Sequence, residues 1–173
     1  NDAVLADVDG DGMPEIIAKR LYTGTPGVTD VANTSAYNRI EVYNVKGERL
    51  WYIDIGPNMQ SGPDEQFDAV AFDWDEDGIL DLLTGDNSSH FGVYFNLAGK
   101  GGANFAERKM LYCNGLEVHG TWRQRPGIAR MQNGKIAYVI LDWDDQVRLY
   151  WRMDKLNLVD AGKLRLVDGS PIT

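Results

Sequence analysis

Asp73-Trp74-Asp75-Glu76-Asp77-Gly78-Ile79-Leu80-Asp81 sets a carboxylate at the first, third, fifth and ninth places of nine residues, with a glycine after the third acid. A hard cation of the calcium class takes six to eight oxygens, and this run offers four acidic side chains plus the main-chain carbonyl of Ile79 at the seventh place. The same phrase occurs earlier as Asp7-Val8-Asp9-Gly10-Asp11-Gly12-Met13-Pro14-Glu15. There Met13 supplies the carbonyl and Glu15 the last acid. Two Ca2+ sites are therefore expected, with ligands from Asp7, Asp9, Asp11, Met13 and Glu15, and from Asp73, Asp75, Asp77, Ile79 and Asp81. The plainer alternative is an acidic surface turn without an ion, but like charges held a few Å apart repel one another and make that alternative costly.

The flanks of each loop decide the kind of calcium motif. An EF-hand needs a bidentate Glu at the twelfth place followed by a helix, and here those places are Ala18 and Thr84. Each loop runs instead between short apolar segments. Ala3-Val4-Leu5-Ala6 and Glu15-Ile16-Ile17-Ala18 flank the first, and Ala69-Val70-Ala71-Phe72 and Asp81-Leu82-Leu83-Thr84 flank the second. The pattern reads strand, cation turn, strand.

The plan repeats along the chain. In a first unit, strands near 3–8 and 15–20 are followed by a long polar segment, 21–38, and by Arg39 to Val45 and Glu48 to Asp54 around a Lys46-Gly47 turn. In a second, strands at 67–72, 79–85, 91–96 and 105–112 surround the second cation loop. A third, weaker unit has strands at 127–130, 135–141, 146–151 and 163–167, and its first turn, Met131-Gln132-Asn133-Gly134, has lost every acid. Asp142-Trp143-Asp144-Asp145 reads as a hairpin connection. Units of about 60 residues, each with four short strands, are the mark of propeller blades. The expected fold is all-β, a single partial β-propeller with blade-like units about 1–60, 61–125 and 126–173. Three blades do not close a ring, so missing blades or a partner chain are expected to complete it.

Composition narrows the functions available. With 173 residues, 43% of them hydrophobic, the chain can bury a core. A formal charge of −9 argues against a nucleic-acid partner, and no apolar run is long enough for membrane insertion. Two calcium ions would leave about −5, so part of the acidity belongs to cation binding. Cys113, alone, reads as a small core residue. The chain starts at Asn1 rather than Met and enters a strand at once, which points to a mature or excised segment of a longer protein. Calcium sites of this kind fill where the ion is abundant, so an extracellular, secreted or cell-surface setting is expected.

Two resemblances rest on these residues. The cation loops between strands look like the FG-GAP or VCBS repeats of integrin-type propellers and of secreted bacterial proteins. More narrowly, Asn1-Asp2-Ala3 leading into the first loop, then Leu50-Trp51-Tyr52-Ile53-Asp54-Ile55-Gly56-Pro57-Asn58, Ser61-Gly62 and Gln66-Phe67, is similar to rhamnogalacturonan lyases of polysaccharide lyase family 11. That resemblance covers about half the chain. It implies a secreted, eight-bladed calcium propeller that cleaves the rhamnogalacturonan backbone by β-elimination. One departure stands out: Pro63-Asp64-Glu65 fills an interval where the family pattern carries a His-Tyr pair.

Elimination on a uronic acid needs a cation or Arg for the carboxylate, a base for the C5 proton and an acid for the leaving oxygen. The densest cluster of such groups is Glu117 to Pro126. Within it His119, Arg123 and Arg125 are candidate catalytic residues, and Trp122, Arg123 and Arg125 candidate substrate-binding residues, since Arg forks match carboxylates and indoles stack on sugars. The competing reading has Trp122 packed between blades and the arginines paired with the protein's own acids. His90, at a strand start, reads as structural. Two functions fit this sequence. One is a carbohydrate-active protein, a lyase or a glycan-binding propeller whose partner is a polysaccharide or surface glycan. The other is a non-catalytic adhesion or scaffold module whose partner is a protein.

Overall fold

The computed structural model describes residues 3–22, 37–54, 69–85, 89–99, 102–121 and 125–173, and of residues 19–22, 37, 38 and 54 the backbone alone. Those residues form β-sheets, antiparallel in every strand pairing but one, with no helix among them, and none therefore long and apolar enough to cross a membrane. The first sheet is β1 (Ala3–Ala6), β2 (Glu15–Tyr22), β3 (Tyr37–Tyr43) and β4 (Arg49–Asp54), in that order. The second repeats it with β5 (Ala69–Phe72), β6 (Asp81–Gly85), β7 (Phe91–Tyr94) and β8 (Lys109–Met110).

The third sheet is larger than the repeat predicts. Besides β11 (Gly127–Arg130), β12 (Ile136–Leu141), β13 (Val147–Arg152) and β14 (Asn157–Lys163), it takes in β9 (Tyr112–Cys113) and β10 (Leu116–Glu117), giving the order β10-β9-β14-β13-β12-β11. The β9–β14 pairing is parallel, whereas the others in this sheet are antiparallel. Two sequence expectations are corrected here. The fourth strand of the third unit is not 163–167 but Asn157–Lys163, because Asp154 accepts from the Leu156 and Asn157 amides and turns the chain back one segment earlier. Residues 164–172 instead form a hairpin joined by an Arg165–Pro171 bridge. The run 105–112 is likewise not one strand: Lys109–Met110 pairs with β7 after an isolated Asn96–Phe105 bridge, and Tyr112 already belongs to β9 of the third sheet.

The three sheets lie in succession. Their first strands adjoin, β1 against β5 and β5 against β11. The strand period of two sends alternate residues of the second sheet to opposite neighbours. Leu82 and Tyr94 join Val8, Ile17, Ile40 and Val42 of the first sheet, whereas Leu83, Phe91 and Val93 join Ile136, Tyr138, Ile140 and Leu158 of the third. Every residue of β6 and β7 is consequently buried, which is why Asp81-Leu82-Leu83-Thr84-Gly85 reads as a continuous rather than an alternating apolar run.

Candidate functional site

Antiparallel order places the turns of each sheet alternately at two edges. The β1–β2 and β5–β6 loops, with the β3–β4 turn and residues 153–156, share one edge; the β6–β7, β10–β11 and β12–β13 connections share the other. The acidic loops occupy the first edge, and the candidates His119 and Arg125 belong to a connection of the second.

In the first loop, Asp7, Asp9 and Glu15 bring carboxylate oxygens within 4.8 Å of one another; in the second, Asp73, Asp75 and Asp77 do the same. Two oxygens bound to one calcium at about 2.4 Å each lie at most about 4.8 Å apart, so both clusters match the span of a single ion. One oxygen at the same place in each loop, Asp7 Oδ1 and Asp73 Oδ1, is buried without a hydrogen-bond partner. A buried acceptor without a donor is costly, and a cation removes that cost. The residues present therefore fit the ion.

The loops are held open for it by their own backbone. Asp9 and Asp11 accept from the amides of Asp11 and Met13 at 3.0 and 2.7 Å, and Gly12 N–H donates to Asp7 Oδ2 at 3.0 Å. In the second loop Asp77 N–H and Ile79 N–H donate to Asp75 and Asp77. Gly12 and Gly78 stand at φ +91° and +89°, a region that side chains strain to enter. The ninth-place acids are turned inward. Glu15 accepts from Val8 N–H at 2.9 Å, while Asp81 accepts from Trp74 N–H at 3.0 Å and from Asn96 N–H at 2.9 Å. Burial pushes the Asp81 carboxyl up to about 6 and raises Glu15 as well, against the amides that donate to them. Asp81 is thus engaged chiefly with backbone, and Asp73, Asp75 and Asp77 form the tight acidic cluster.

Each loop is also tied to the following sheet, a feature the sequence reading missed. The second-place residues, Val8 and Trp74, are fully buried in successive intersheet cores. The Val8 carbonyl accepts from Asn96 Nδ2 at 3.0 Å, and the Trp74 carbonyl accepts from the Arg152 guanidinium. The second loop gains further anchors: Trp74 Nε1 donates to the Lys155 carbonyl, Lys155 Nζ meets Asp75 Oδ2 at 2.7 Å, and Glu76 pairs with Arg130 and Arg152. These partners lie 54 to 88 residues from the loops they hold, beyond any local motif. A pocket of about 230 Å3, lined by Asp9, Asp11, Glu15, Lys46 and Leu50 among others, opens beside the first loop.

The opposite edge brings together His90, His119 and Trp143. His90 and His119 form an isolated antiparallel bridge, their rings edge to face with centroids 4.4 Å apart. Trp143 stacks on His119 at 4.3 Å, and His90 Nε2 lies 3.6 Å from a Glu117 oxygen. His119 is half-buried and Arg125 exposed, while Trp122 and Arg123 lie outside the described residues, as do the segments 23–36 and 55–68 with Asp64 and Glu65. Sequence reading singled out His119, took His90 as structural and did not single out Trp143. The available signal was an indole in the middle of an acidic hairpin turn, where no core requires it.

Residues 1–145 match the family model described as rhamnogalacturonan lyase family 11, C-terminal domain. The chain belongs to rhamnogalacturonan lyase family 11. Among curated proteins it is similar to the rhamnogalacturonan endolyase YesW of Bacillus subtilis (strain 168), 35% identical over 83 residues, which is 47% of this chain and 13% of that protein. The chain thus corresponds to a small part of that lyase's length. No solved structure matches it. As a family 11 segment it is a lyase-like carbohydrate-active module with an all-β, antiparallel architecture.

Proposed function

We propose that this chain is a run of calcium-stabilised blades from a β-propeller whose intact protein is a secreted lyase acting on rhamnogalacturonan. The observation that carries the activity is the family 11 match over residues 1–145, the greater part of the chain. The propeller reading is supported by three successive sheets whose first strands adjoin, the first two of which keep the strand, acidic turn, strand plan of FG-GAP-type repeats. Calcium is supported by the paired acidic clusters and by the buried Asp7 and Asp73 oxygens.

The acidic edge then serves stability and the opposite edge meets the polysaccharide. At that edge His119 and His90 are imidazoles of the kind that proton transfer uses, and Arg125 is an exposed guanidinium of the kind that meets a uronate carboxylate. Calcium supplies charge compensation that lets buried carboxylates remain ionised in the loops.

The test is the intact protein on rhamnogalacturonan, following absorbance of the unsaturated uronate released by β-elimination. Product is expected, with His119→Ala at least tenfold slower. Absence of product from the intact wild-type protein contradicts the lyase reading. Product at an undiminished rate from His119→Ala removes His119 from the chemistry and leaves the activity standing.

A further inference from the structure

We propose that Trp143, backed by His119, is a stacking platform for a neutral sugar ring of the polysaccharide. The inference rests on the carbohydrate reading above and assigns the sugar class that this edge takes.

Trp143 is 66% exposed, in a turn whose other members are acidic. An indole on the surface costs solvation, and burial in a core does not explain this one. The turn nevertheless holds it firmly. Asp142, itself buried, accepts from the amides of Asp144 and Gln146 and from Arg148 Nε, and Asp145 takes the left-handed conformation at φ +56° that closes the hairpin. One face of the indole is filled by the His119 ring at an interplanar angle of 26°. His119 is fixed in turn by the backbone bridge to His90 and by the His90 ring edge, and Thr121 N–H donates to the Leu141 carbonyl just before the turn. The platform is therefore set before any ligand arrives, so little side-chain freedom is lost on binding.

Charge selects the ring. The two cations that meet the acids of this turn are committed: Arg148 to Asp142 and Asp160, and Lys163 to Asp142 and Asp144. Asp145 and Glu117 add negative charge at the same edge. A galacturonate ring laid on the indole would meet carboxylates rather than a guanidinium fork, whereas a neutral pyranose offers the C–H face that an indole attracts. In a polymer that alternates acidic and neutral sugars, the neutral 6-deoxyhexose, rhamnose, is the residue this platform fits.

The test titrates the intact protein with rhamnogalacturonan oligosaccharides by calorimetry, as wild type, Trp143→Ala and Trp143→Phe. It then competes the complex with methyl rhamnoside or methyl galacturonoside. The expected result is about a tenfold loss of affinity for Trp143→Ala, near retention for Trp143→Phe, an unchanged melting midpoint in both, and stronger competition by the rhamnoside. Wild-type affinity in Trp143→Ala, or stronger competition by the galacturonoside, overturns the platform while leaving the lyase reading intact. A wild-type protein that binds no oligosaccharide at all contradicts both.

Discussion

Glu76 adopts a backbone conformation that its counterpart in the first loop, Gly10, reaches without a side chain: φ is +65° at Glu76 and +74° at Gly10. The strain is kept because the side chain spans to Arg130 and Arg152 of the third sheet, and those guanidinium groups hold its carboxyl below the usual range. Glu76→Gly should therefore lower the melting temperature although it eases the backbone, and calorimetric melting checks the sign. Asn96 is a second single-residue strut, buried, with its amide on the Val8 carbonyl and its oxygen on the Ala98 and Asn104 amides. Asn96→Ala leaves those groups unpaired and is expected to cost about 2 to 3 kcal/mol in urea unfolding. Gly92 has no room for a side chain, since a Cβ there would fall 2.5 Å from Arg108 Nε and 2.7 Å from the Lys109 carbonyl. The backbone oxygen cannot yield easily, so Gly92→Ala should cost about 1 to 3 kcal/mol by the same measurement.

The four-strand plan was readable element by element where apolar alternation and turn residues agreed, as in β3, Lys46-Gly47 and β4. It failed where a turn outweighed the pattern: 163–167 alternates, whereas Asn157–Lys163 does not, and the Asp154 turn sets the strand there. The β9–β10 hairpin was readable and overlooked. Asn114-Gly115, at φ +53° and +77°, is the two-residue turn that such hairpins favour. Of the site, the acidic loops were plain because their carboxylates are local in sequence; Asn96, Arg152 and Lys155 were not, because only the stacking of sheets brings them there. The loops also set a pH dependence. Burial raises Asp81 to about 6 from an ordinary value of 3.8, so the ion-free fold binds a proton more readily than the unfolded chain. That contribution is complete below about 4 and is lost as pH rises through about 6. Protons and calcium compete for the carboxylates, so the melting-temperature gap between calcium and chelator should widen from pH 5 to pH 7. A gap independent of pH would contradict it.

Across the whole molecule, the second sheet is the keystone: its two faces build both cores, and each acidic loop plugs a buried residue into the interface with the next sheet. Ions at these loops would therefore fix more than a turn. Held there, they would brace the meeting of one sheet with its neighbour through the buried Val8 and Trp74. Sequence alone carried the chain as far as repeated sheets with acidic turns, whereas the loop-to-sheet anchors needed the fold. The most direct test of the account is the number of calcium ions bound by the chelator-stripped intact protein, by calorimetric titration, for wild type and for an Asp7→Ala, Asp73→Ala double variant. The account predicts two fewer ions in the variant, together with a lower melting temperature in calcium. Equal stoichiometry in the two proteins would contradict it.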